Sequence, residues 1–342
     1  MREQTIHDGK DDVRAKGPFA AAAGAPARRR AFVQGLAAVG ALALAGCGGD
    51  GGIAGTVALG ARDTPTRFAA VGGRKLAYRS VGEGKPIVLC HRFMGVLDWW
   101  DPDFIDSLAA QGFRVIYFDY SGMGQSTGPA TYDAVSLAGD VQDLVTALGL
   151  KDFAVGGWSL GGMVAQIFMT GHGADISHLV LIGTTPPGPL VKTTDPLFFS
   201  LAQQATRDLD WFTHSFFEPA DAGSRAAAQA SFTRIAARKG DRSPEVPLEW
   251  ALAQLATLPS NPVFPADAVG AALRNTGVPI LHLGGDHDLA FPVENWYALN
   301  NQLPTLNLIT YPSAGHGPHQ QQPQAAAKQI GAFIRGTGKT SS

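Results

Sequence analysis

Two cysteines in 342 residues, Cys47 and Cys90, are too few for a disulfide framework, and no CxxC pair or His/Cys cluster has metal-ligand spacing. The sequence therefore implies neither a structural disulfide nor a zinc centre, and nothing in it asks for another metal or an organic cofactor. Charge is sparse as well: Asp, Glu, Lys and Arg make up 16% of the chain, the net charge is −2, and no long run of one sign occurs. Nothing suggests a nucleic-acid partner, which would call for a basic patch. What is plentiful is apolar residue, at 45%, in a chain long enough for one large α/β domain carrying an insertion.

The N-terminus departs from this plainness. Arg28, Arg29 and Arg30 precede Phe32 and Val33, and the chain then runs uncharged through "GLAAVGALALAGC" to Cys47. That order is the n-region and h-region of an export signal. The run, about 15 residues diluted by Gly and Ala, falls short of the roughly 20 that a transmembrane helix needs. The paired arginines resemble a twin-arginine signal. "LAGC" resembles a lipobox, which would make Cys47 a lipidation site and anchor the exported protein on the periplasmic side of a bacterial membrane. Residues 1–46 are thus expected to be a signal peptide. Residues 47–65, rich in Gly, are expected to form a flexible tether with a reach of roughly 20–25 Å.

From Thr66 onward, strand-like and helix-like segments alternate. "RFAAV" and "RKLAYRSV" flank Gly72 and Gly73 as a hairpin would. "PIVLCH", "RVIYFDY", "FAVGGW" and "HLVLIG" are short apolar runs of the kind buried on both faces, and helical segments separate them. This alternation predicts a mainly parallel α/β sheet flanked by helices, over 66–185 and 277–336. Between them, 186–276 is helical but strand-poor, as expected of a cap. It carries Phe198, Phe199, Trp211, Phe212, Phe216, Phe217 and Trp250, of which two or three are expected to face a pocket.

In "GGWSLGGMVAQ" a single hydroxyl, Ser159, stands between glycines where a strand pattern gives way to a helix. A serine on so sharp a turn needs small neighbours, and Gly157 and Gly161 supply them as GxSxG. The bland reading is a helix cap. The reactive reading requires a base and an acid to orient it. His316, in "SAGHGPHQ", and Asp288, in "GGDHDLAFP", follow later strands, and the order Ser, Asp, His is that of the α/β hydrolases.

From Thr66 to about Gly336 the chain resembles the α/β-hydrolase superfamily, and "GWSLGG" looks most like its branch of capped esterases, cofactor-free haloperoxidases and carbon–carbon hydrolases. The resemblance implies a serine hydrolase in which Ser159 attacks a carbonyl, most simply a small or medium carboxylic ester, through an acyl-enzyme. The family's GxxDxxxP pattern selects Gly285, Asp288 and Pro292 over the competing Asp286. His316 matches the family's AGH; His282, His287 and His319 match nothing and are expected at the surface or in loops. A serine nucleophile sets the chain apart from the family's haloalkane dehalogenases and epoxide hydrolases. The implied oxyanion donors are the backbone N–H groups of Leu160 and Phe93. There the chain departs from the family's HGxxG, for it reads "HRFMG", with Arg92 in place of glycine. Arg92 is expected to be a solvated or structural cation, or else to attract an anionic substrate. Trp158 and the aromatic cap suggest a small-molecule substrate with an apolar acyl group. Asp119 reads as a turn residue and Cys90 as a small core residue. Two further readings share these residues: carbon–carbon bond cleavage or perhydrolysis on the same triad, and a non-catalytic envelope protein using the fold to bind a ligand.

Overall fold

The computed structural model describes residues 59–130, 133–256 and 265–340. Its eight strands are β1 (Arg67–Val71), β2 (Arg74–Val81), β3 (Lys85–Cys90), β4 (Phe113–Phe118), β5 (Phe153–Trp158), β6 (Ile176–Ile182), β7 (Ile280–Gly285) and β8 (Leu306–Tyr311). They form one sheet in the order β1-β2-β4-β3-β5-β6-β7-β8. The pairs β1–β2 and β2–β4 are antiparallel, and every later pairing is parallel. Gly72 and Gly73, at φ +52° and +79°, close the first hairpin with the left-handed turn that matches strand twist. β5, β6 and β7 are buried along their whole length, which is why they read as unbroken apolar runs.

Helices α1 (Pro102–Ala109), α2 (Ala134–Ala147) and α3 (Leu160–His172) join the early parallel strands, and α4 (Pro196–Ala202), α5 (Leu209–Phe216), α6 (Ala222–Ala236), α7 (Leu248–Ala256) and α8 (Ala266–Asn275) lie between β6 and β7. The short α9 (Glu294–Tyr297) follows β7, and α10 (Pro318–Gln321) and α11 (Pro323–Gly336) end the domain. Aspartate recurs as the N-cap: Asp101, Asp133, Asp195, Asp208 and Asp221 each accept a bond from a first-turn N–H of α1, α2, α4, α5 and α6. α1 packs with α11, and α2 packs with α3. α8 also packs on α3, so the last helix of the expected cap belongs beside the core helices.

The folded chain begins earlier than Thr66. Ala61 and Thr64 are buried, the Ala61 N–H donates to Asp106 Oδ1 at 2.7 Å, and Arg238 Nη1 donates to the Arg62 carbonyl at 2.7 Å. The last residues of the expected tether are thus packed against the domain. The arginine cluster, Cys47 and the rest of the tether lie outside the described residues. Among the described residues, no helix is long and apolar enough to cross a membrane.

A buried charge network joins the insertion to the core. Arg79 on β2, 1% exposed, donates from Nη1 to Asp98 Oδ1 at 2.8 Å, and Asp98 Oδ2 accepts the Ser243 N–H at 2.6 Å. Ser243 Oγ donates to Asp119 Oδ2 at 2.5 Å, and Arg238 lies 3.5 Å from Asp98. Removing one partner of such a pair strands the other charge without water. Asp98→Ala is therefore expected to lower stability by about 3–5 kcal/mol, measured by urea denaturation.

Two expectations about histidine are corrected. His282 and His319 are not at the surface: each is 1% exposed or less, because a neutral imidazole packs as an aromatic ring. His282, on β7, stacks on Trp296 with ring centroids 4.6 Å apart, and His319, on α10, meets Trp158 edge-on at 4.6 Å. Burial pushes both down to about 3 and holds the buried His91 well below the ordinary imidazole value. These rings stay neutral in the folded chain but take up protons once unfolded below about pH 6.5. The unfolded state then binds more protons, so stability present above pH 6.5 is lost as pH falls towards 3, by up to ~1.4 kcal/mol per pH unit for each ring. Urea titrations from pH 6.5 to 4.5 should show this decline. His282→Phe should make it shallower by about one proton's share.

Candidate active site

β5 ends at Trp158 and α3 begins at Leu160, so Ser159 alone turns the chain. Its backbone sits at φ +59° and ψ −122°, a conformation that costs an L-residue about 1–3 kcal/mol. The turn forces backbone atoms together. A Cβ on Gly157 would lie 2.1 Å from the Gly161 carbonyl oxygen, and a Cβ on Gly161 would lie 2.1 Å from that of Cys90. Only glycine fits at either place. Ser159 is further held by its N–H donating to the Ile182 carbonyl at 2.9 Å and by Thr184 Oγ1 donating to its own carbonyl at 2.7 Å.

Asp288 and His316 stand on the loops after β7 and β8, and the fold brings them together in a buried pair. His316 Nδ1 lies 2.8 Å from Asp288 Oδ2 and 3.0 Å from Oδ1. The Ala290 and Phe291 N–H groups donate to Asp288 Oδ1 at 2.8 and 2.9 Å, which fixes the carboxylate. Trp158 Nε1 donates to the His316 carbonyl at 2.7 Å. Gly183, at the end of β6, lies beneath the pair: a Cβ there would be 2.6 Å from the His316 carbonyl oxygen and 3.4 Å from Asp288 Oδ2. Asp286, the competing carboxylate, instead pairs at 2.7 Å with His287, which is half exposed. That carboxylate raises the His287 ring above its ordinary value.

Ser159 and His316 line one small cavity of about 30 Å³, space for a couple of water molecules. No hydrogen bond joins the serine hydroxyl to the ring among the described residues, a looseness common in unliganded sites. Of the cap aromatics, Phe198, Trp211 and Phe216 line the cavity, whereas Phe212 and Phe217 pack inside the cap and Phe199 faces solvent. Phe93 lines the same cavity as Ser159 and Leu160 follows Ser159 in the chain, and neither N–H donates to a carbonyl among the described residues. Phe93 belongs to a tight turn closed by the Gly95 N–H donating to the Arg92 carbonyl at 3.0 Å, with Met94 left-handed at φ +58°. Glycine is the usual residue at such a position.

Arg92 is not solvated. It is 4% exposed, with its guanidinium 4.6 Å from the Phe216 ring centre, 5.0 Å from Trp99 and 5.3 Å from Trp158. Asp119 is more than a turn residue: it is buried, accepts the Leu97 and Gln125 N–H groups and the Ser243 hydroxyl, and is pushed up to about 6 by burial. Cys90 is fully buried at the end of β3, and burial raises its thiol to about 12. Sequence reasoning missed Gly183 and Thr184, for which the only signal was a glycine closing a strand pattern. It also missed Leu201, Ala202 and Ser215 as cavity residues, which no pattern marked.

The model of the α/β hydrolase fold family matches residues 85–323. A solved α/β hydrolase fold protein from Chitinophaga pinensis superposes with a TM-score of 0.70 at 29% identity, covering 82% of this chain and 100% of that one. The esterase RhEst1 from Rhodococcus sp. ECU1013 superposes at 0.62 with 25% identity, covering 80% and 99%. The non-heme chloroperoxidase CPO-A1 of Kitasatospora aureofaciens is 25% identical over 259 residues, 72% of this chain and 90% of that protein. With a parallel sheet, a glycine-bound serine elbow and a family match across most of its length, the chain belongs to the α/β hydrolase fold family and is an enzyme with esterase and haloperoxidase relatives.

Proposed function

We propose that the protein is a serine hydrolase of small carboxylic esters, with Ser159 as nucleophile, His316 as base and Asp288 as the group that orients the base. The observation that carries this reading is one cavity holding both the strained Ser159 and an imidazole whose far nitrogen is fixed by a buried carboxylate. His316 takes the serine proton as the oxygen attacks the ester carbonyl. Asp288 holds the ring in the needed tautomer and stabilises the cation that forms. The oxyanion is received by the Phe93 and Leu160 N–H groups, each such donor typically contributing about 3–4 kcal/mol. His316 then protonates the leaving alkoxide, and water, deprotonated by the same ring, releases the acid from the acyl-enzyme.

A second reading keeps the same residues and replaces that water with hydrogen peroxide, giving a peracid. Its support is the likeness to a non-heme chloroperoxidase. Peroxide- and halide-dependent halogenation of an added acceptor in acetate buffer separates it from plain hydrolysis.

We further infer, from the sequence, that the N-terminal segment is a twin-arginine lipoprotein signal and that Cys47 carries the lipid holding the domain at the periplasmic side of a membrane. Cys47→Ala should move the protein from the membrane fraction to the soluble fraction; a variant that stays membrane-bound would overturn the anchor.

Labelling with a fluorophosphonate probe tests the hydrolase. Wild type should label, and Ser159→Ala and His316→Ala should not. Turnover of 4-nitrophenyl acetate should fall by about 10⁴-fold in Ser159→Ala if the three residues act as a unit. Activity retained in that variant would remove Ser159 from the reaction.

A further inference from the structure

Arg92 is the unusual residue of the site. Its side chain is buried, lines the same cavity as Ser159 and His316, and forms no ion pair among the described residues. One nitrogen, Nη1, donates to the Phe93 carbonyl at 2.7 Å, which aims the guanidinium. The Nε and Nη2 groups are both buried and have no hydrogen-bond partner. Aromatic faces surround the cation and stabilise its charge, but they offer no oxygen to its N–H groups. The carboxylate whose charge acts on Arg92, Glu245, is taken: it accepts from Arg207 at 3.0 Å and from Trp99 Nε1 at 2.8 Å. Burial, with repulsion from Arg207 added, lowers the Arg92 guanidinium to about 9.

Buried donors are nearly always satisfied, and guanidinium has a planar fork suited to a carboxylate. Arg92 borders the cavity that also holds Ser159, and its unsatisfied fork is a demand for an acceptor there. From this we propose that the substrate is a small ester that also carries a carboxylate, and that Arg92 is the residue that receives this anion while Ser159 meets the ester carbonyl. The inference rests on the serine hydrolase reading above. The cavity is small and must widen to admit any ester, so the probes are kept to half-esters of short dicarboxylic acids.

The experiment compares monoethyl succinate with ethyl 4-oxopentanoate, its neutral counterpart of nearly equal shape. Wild type should favour the charged ester in kcat/KM by at least about 10-fold, chiefly through KM, in keeping with a charged pair made in the ground state. Arg92→Met should abolish that preference, and Arg92→Lys should restore part of it. A wild type that favours the neutral ester, or a preference that survives in Arg92→Met, overturns the anion site. Equal losses on both esters in Arg92→Met would also overturn it, since they would assign Arg92 a purely structural role. Should Arg92→Met fail to fold, inhibition of wild-type hydrolysis of the neutral ester by succinate, set against succinamide, poses the same question without a variant. Stronger inhibition by succinate supports the site, and equal inhibition overturns it. Fluorophosphonate labelling of the same preparations separates the two failures: labelled enzyme without charge preference overturns the anion site alone, and unlabelled enzyme overturns the hydrolase and the anion site together.

Discussion

The site depends on how closely the start of α3 approaches the end of β3. Gly161 rests against the Cys90 carbonyl with no room for a methyl group, and Gly157 rests against Gly161 in the same way. That contact bends the chain hard enough to hold Ser159 in a strained backbone state and to lift its hydroxyl clear of the sheet. It also puts the Leu160 N–H at the free end of a helix, where a donor has no carbonyl to meet. Strain of this kind persists only because β5, β6 and β3 are deeply buried and cannot yield locally.

The insertion owes its position to charge. Arg79, Asp98 and Arg238 are nearly or wholly dry, and they link strand β2, the loop before α1 and the segment after α6. Asp101 extends the link, accepting from Ser231 and Arg234 while it caps α1. One end of the cap is thereby bonded to the same loop region that carries Phe93. The wall of the cavity and the turn that carries Phe93 share a foundation.

Much of this was legible in the sequence because it rests on local rules. The parallel strands announced themselves as short apolar runs and the hairpin as a glycine pair. Ser159, Asp288 and His316 were readable because strand ends and chain order constrain them, and Asp288 was separable from Asp286 by its spacing to Gly285 and Pro292. The buried histidines were not readable, since an imidazole beside aromatic rings packs like a hydrophobe while its letter in a sequence suggests polarity. The burial of Arg92 was hidden for a related reason. It is created by Trp99, Trp158, Trp211 and Phe216, which come from three separate stretches and meet only in the folded chain. The early start of the domain was hidden too, for a Gly- and Ala-rich segment looks like a tether until Asp106 and Arg238 are seen to grip it.

Trp158 immediately precedes the serine, and its indole nitrogen holds the backbone of His316. Two groups far apart in the sequence thus meet at a single residue. That one bond ties the strand that delivers Ser159 to the loop that delivers His316. A change of side chain at position 158 would therefore be felt at Ser159 and at His316 together.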